Sequence, residues 1–194
     1  MPSRAPQTVT IALTEAEVDV AYRAGVEHSE MCRGAGIPNL RTMSPSESLQ
    51  MVVDGYSVET AVTRHLGIAW QPRVCITRDP GWDAVLVGPA GSLKLAIKGT
   101  SNPGGGCVWD IPDPRRGVDT TYLCDAIIFA LLDNDTMEVT LRAGSWEDPT
   151  TWMVWNRYAK RSFHWCDPKD MTDYVPFHDQ LLARVGFCDL RAAG

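Results

Sequence analysis

A chain of 194 residues with 44% apolar side chains is the size of one domain with a core of its own. No apolar run approaches the roughly 18 residues of a membrane span, and residues 1–8 lack the apolar stretch of a secretory signal, so a cytoplasmic protein away from membranes is expected. The formal net charge of −6 argues against coating nucleic acid by bulk attraction, which needs Lys and Arg against phosphates, but leaves room for a locally basic cleft.

After a short polar tail, Thr14 and Glu17 form a capping-box signature, and the segment to about Gly34 reads as a helix with Val18, Ala21 and Val26 among its apolar positions. A loop follows to Met43. Ser44, Pro45 and Glu47 supply the N-cap, first-turn proline and capping acid of a second helix, and Gly67 follows Leu66 where a C-cap glycine belongs. Gly55 interrupts its middle with a weak helix former. Residues 73–78 are a strand candidate. Asp83 to Val87 and Leu93 to Lys98 read as a hairpin around the turn-rich Gly88–Ser92. Asn102 to Gly106 is a glycine-rich loop, and the acidic connection from Asp110 to Asp119 is placed at the border of a cleft. Tyr122 to Leu132 and Met137 to Arg142 are further strands around Asp133-Asn134-Asp135. Pro149 to Arg161 and Pro176 to Val185 are read as helical.

In Leu93 to Lys98 the side chains alternate, so Leu93, Leu95 and Ile97 share the core face while Lys94, Ala96 and Lys98 share a polar one. A loop centred near Ala90 sets Asp83 roughly opposite Ile97, beside Ala96 and Lys98. At about 100° per residue Glu59 points with Val52 and Leu66, toward the buried side of the second helix. A carboxylate there takes a metal or water network as partner, or a hydrogen bond at the rim of the core.

A helix carrying Glu59, a strand carrying Asp83, and a second strand ending in Ala96-Ile97-Lys98 together resemble the PD-(D/E)XK nuclease superfamily, over roughly Ser44 to Ser101. The resemblance implies a restriction-endonuclease-like α/β core with a mixed central β-sheet flanked by helices. It also implies Asp83 as a metal ligand for Mg2+ or Mn2+, Lys98 as the residue that orients or helps deprotonate the attacking water, Glu59 as an auxiliary acid, and DNA as the substrate. Such chemistry needs a hard cation on carboxylate oxygens and a nearby positive charge. Two departures stand out: Trp82 in place of proline, and Ala96 where a second metal-binding carboxylate is expected. The reading adopted is one domain over 1–194 with its core at about 44–142. It is a metal-dependent deoxyribonuclease inactivated, by engineering or otherwise, at Ala96. The alternative is a naturally degenerate, catalytically inactive member that binds nucleic acid or a partner protein in a phage or host-defence setting. A homodimer is compatible with either.

Arg157, Lys160 and Arg161, next to Tyr158, Phe163 and Trp165, are the candidate phosphate-and-base surface, against the plainer reading of a solvated helix face. His164, Cys166, His178 and Cys188 lack the spacing of a zinc site, and Gly104-Gly105-Gly106 lacks the G-K-[ST] of a phosphate loop. The six cysteines, with no C-x-x-C pair, are expected to be reduced. Trp146, Trp152, Trp155 and Trp165 are assigned to core packing in preference to base stacking.

Overall fold

Both capping signatures form. In the computed structural model, which describes residues 5–36, 43–69, 72, 81–110, 123–155 and 163–187, α1 (Glu15–Gly34) starts after Thr14 and α2 (Pro45–His65) after Ser44. Each N-cap hydroxyl accepts the N–H of the acid three residues on. That carboxylate accepts the N-cap N–H in return, at 2.8 Å for Thr14 and 2.7 Å for Ser44. Glu17 also receives Arg64 at 2.6 Å, and Arg64 donates to the carbonyl of Ala12. The end of α2 is thereby tied to the start of α1 and to β1 (Val9–Ala12). This four-residue strand lies in the segment expected to be a polar tail; its partner comes from far along the chain, which a local pattern does not reveal.

The hairpin forms as β2 (Ala84–Gly88) and β3 (Gly91–Thr100), joined by Pro89-Ala90, with Gly91 at φ +147° where a side chain would be strained. Gly88 pairs with Gly91 and Ala84 with Leu95. Continuing that ladder sets Asp83 opposite Ala96, one residue from the expected Ile97, because the connection has two residues and is not centred on Ala90. β3 runs parallel to β5 (Ala126–Asp133), which is antiparallel to β6 (Glu138–Ser145). With β1 and the short β9 (Thr172–Asp173) on β6, the result is a six-stranded mixed sheet, ordered β1-β6-β5-β3-β2 with β9 beside β6.

Helices cover one face of this sheet. Leu95 and Ile97 of β3, Ile128 and Leu132 of β5, and Leu141 of β6 pack with Val58, Ala61 and Val62 of α2 and with Tyr174, Phe177 and Leu181 of α3 (Tyr174–Arg184). Glycines set the approach distance: a Cβ on Gly99 would sit 2.7 Å from Val58, and one on Gly144 would overlap the Phe177 ring. α1 is an outer layer, with Ala21 and Ala24 on Tyr56 of α2.

The other face lies under a second sheet, ordered β4-β8-β7, made of β4 (Cys107–Asp110), β7 (Met153–Trp155) and β8 (Phe163–Cys166). The helix expected from Pro149 is therefore corrected. Asp148 caps a single 3-10 turn at Pro149–Thr151, and the next residues extend into β7, where pairing with β8 outweighs local helical preference. The expected strand at 73–78, residues 111–119 of the acidic connection and residues 156–161 lie outside the described residues. The fold class is α/β, a mixed central sheet flanked by helices on one face and by strands on the other. Among the described residues no helix is long and apolar enough to cross a membrane.

Candidate active site

The middle of β3 is closed on both sides. Leu95, Ala96 and Ile97 are 0%, 1% and 5% exposed, Lys98 is half-buried, and only Lys94 of the expected polar set is open to water. The polar face is thus corrected to an apolar one: Ala96 lies in a cluster with Cys107, Trp109, Cys124, Ile127, Phe129 and Trp152. Alternation separates the two faces of a strand but is silent on what a distant segment lays over each.

Asp83 is fixed by the strand it faces. Its N–H donates to the Leu95 carbonyl at 2.8 Å, and its Oδ2 accepts the Ile97 N–H at 2.6 Å. Because β2 begins at Ala84, the carboxylate takes the place of a backbone acceptor beyond the strand end, a charge-assisted bond that orients Asp83 along β3. Lys98 projects from the same face as Ala96, beside Phe129, its register partner on β5. The Lys98 ammonium lies 4.9 Å from the centre of the Trp109 ring, and Trp109 is 6% exposed. An aromatic face at this range attracts a cation. The neighbouring Cys107 thiol is pushed up to about 12 by burial, against the opposing influence of Lys98.

Glu59 is half-buried on α2, less covered than its neighbours from Tyr56 to Thr63, and Val58 beside it seats on Gly99, one residue past Lys98. Glu59 therefore belongs to the helical layer, whereas Ala96 and Lys98 face the strand layer. Asp83 and Ala96 are brought opposite each other by the hairpin ladder, and Lys98 lies two residues further along β3. Arg157, Lys160 and Arg161 lie outside the described residues, as do Cys75, Cys188 and the side chain of Trp155. Trp152 is buried in the strand-side cluster, Trp146 is half-buried against the helical core, and Trp165 lies across Gly106.

Magnesium and manganese ask for several oxygen ligands in near-octahedral array. Here Asp83 has one oxygen on the Ile97 N–H, and Ala96, opposite it by the continued ladder, has no side-chain oxygen to offer. Among the described residues no group of three or more His, Cys, Asp or Glu could hold a metal ion. With alanine at 96, the described residues around Asp83 do not make up such a ligand set.

One cluster has no counterpart in the sequence reading. His65 at the end of α2 meets Tyr174 and His178 of α3, with ring centres 5.2 to 5.8 Å apart. Burial, then the charge of His178, hold His65 below its ordinary value, and burial holds the Tyr174 phenol well above the usual range. The i, i+4 spacing of Tyr174 and His178 was visible in the sequence; their contact with the end of α2 was not. The chain matches no family model, no curated protein and no solved structure.

Proposed function

We propose that this chain has the frame of a PD-(D/E)XK nuclease, a divalent-metal-dependent DNA phosphodiester hydrolase, whose centre is incomplete and silent while alanine occupies position 96. The reading rests on one juxtaposition: Asp83 faces Ala96 across the β2–β3 hairpin, and Lys98 lies two residues further along the same face. A carboxylate at 96 would join Asp83 in offering oxygens to a cation, beside a lysine able to meet a phosphate. With its ammonium against Trp109, Lys98 contributes as a positive charge more than as a proton acceptor. Glu59 is the auxiliary acid from α2. Arg157, Lys160 and Arg161 are the phosphate contacts of this reading, and DNA in a cytoplasmic setting is its partner.

A second reading is supported by a separate observation. Ala96 is 1% exposed within a closed apolar layer, a position shaped for a methyl group. In that reading the protein is a binding module on a nuclease scaffold and cuts nothing.

Ala96→Glu tested on linear and circular duplexes and single strands, with magnesium, manganese or chelator, separates the two. The first reading expects no cleavage by the parent chain and metal-dependent cleavage by the variant. Adding Asp83→Ala or Lys98→Ala should remove most of that cleavage, since members of a catalytic unit do not act additively. A folded Ala96→Glu protein that binds DNA and cuts none of these substrates overturns the hydrolase and leaves the binding module.

A further inference from the structure

Three cysteines converge on the strand layer that covers Ala96. Cys107 and Cys124 are buried in the cluster and Cys166 packs against it. Cys107 and Cys166 are direct register partners across β4 and β8, and neither is in a disulfide. Residues directly opposite in an antiparallel pair have Cα atoms about 4.5 or 5.5 Å apart, and a disulfide accepts roughly 4.4–6.8 Å. Their side chains leave the sheet on the same face. Cys107 is 0% exposed, whereas Cys166 is half-buried and within reach of a solute.

We propose that Cys107 and Cys166 form an oxidisable dithiol, a modification site whose disulfide staples β4 to β8 above Ala96. The oxidant is a small-molecule disulfide such as oxidised glutathione. The Cys166 thiolate attacks one glutathione sulfur, the glutathione S–S bond breaks, and one glutathione leaves as thiolate. Cys107 then gives its proton to water and attacks the Cys166 sulfur, forming the protein S–S bond and releasing the second glutathione. The protein loses two protons and two electrons, and the glutathione disulfide gains them as two glutathione thiols. Burial, followed by Asp170, Glu147 and Asp167, raises the Cys166 thiol, and burial raises Cys107 further. Both steps therefore quicken with rising pH. The staple would hold Trp109, two residues from Cys107 on β4 and the ring on which Lys98 rests. It does not depend on the nuclease reading.

The test is intact mass and peptide mapping of the folded chain after oxidised glutathione at pH 7 and pH 9. The expected product lacks two hydrogens, carries a Cys107–Cys166 cross-linked peptide and forms faster at pH 9. Cys166→Ser should prevent it, and Cys107→Ser should stop at a glutathione adduct on Cys166. Should Cys107→Ser fail to fold, Cys107→Ala serves, being apolar and smaller. A folded chain that forms no internal disulfide at either pH, or one that joins Cys166 to Cys124 or to another cysteine, overturns the assignment.

Discussion

The two faces of the central sheet are built from different materials. On the helix-covered face the strands are aliphatic, Leu95, Ile97, Leu132 and Leu141 packing on Val58 and Val62 and on Tyr174 and Phe177 of α3, and two glycines bring the helices close. The strand-covered face combines Ala96 and Cys107 with Phe129, Trp109 and Trp152, and brings the charge of Lys98 against an aromatic ring. The first face is a store of buried area. The second places a cation beside an apolar wall, the setting in which a charge acts most strongly. Adjacent residues on β3 thus belong to different environments, and their substitutions should behave differently.

Leu95→Ala should produce the largest loss, about 2–5 kcal/mol in urea unfolding, because it leaves a cavity in the helical layer. Ala96→Leu, its neighbour on the other face, should cost about 1–3 kcal/mol through overpacking against Trp109 and Phe129. A neutral Ala96→Leu would mean that the strand layer is loose, and the contrast between the faces would fail. Smaller is the coupling between Lys98 and Trp109: a double-mutant cycle of Lys98→Met and Trp109→Leu should return about 0.5–1 kcal/mol. A coupling of zero would remove Trp109 as the platform for the cation.

Acid should loosen the helical face first. His65 has a folded value below its ordinary 6.5, so the unfolded chain binds the proton more readily. Its contribution is complete above that value and is lost as pH falls through it toward the folded one. His28, also lowered by burial, adds to the same window. Glu17 and Asp167, with lowered carboxyls, lose their contributions only below their ordinary values of 4.5 and 3.8. Stability should therefore begin to fall between pH 6.5 and 4.5, and His65→Asn should remove part of that fall while leaving the His28 share. Unfolding curves across this range check it; an unchanged slope in the variant would shift the effect to other groups.

Local signals carried the reading of some elements and failed for others on physical grounds. Capping boxes at Thr14 and Ser44 and the alternation in β3 are written in adjacent residues, so α1, α2 and the hairpin were legible. The juxtaposition of Asp83, Ala96 and Lys98 was legible too, one register step off, because the turn length was misjudged. The cover over Ala96 was not, since it comes from β4, β8 and Trp152, and the short strands exist through pairing with one another. Pro149 correctly marked a helical start after Asp148, but the turn ends at once in Trp152–Trp155, residues that favour extended chain. β1 was hidden in the same way, as four residues given their structure by β6.

The central claim is that position 96 is the missing ligand opposite Asp83, and thermal unfolding with manganese tests it most directly. The parent chain should unfold at the same temperature with and without the ion. Ala96→Glu should be destabilised without metal, because a carboxylate is forced into an apolar layer. It should regain about 5–10 °C at manganese a hundredfold above its Kd, from about 2.7 kcal/mol of binding linkage at roughly 2–4 °C per kcal/mol. Adding Asp83→Asn should abolish the gain. A folded Ala96→Glu protein that manganese does not stabilise, or a parent chain stabilised just as strongly, would contradict the claim.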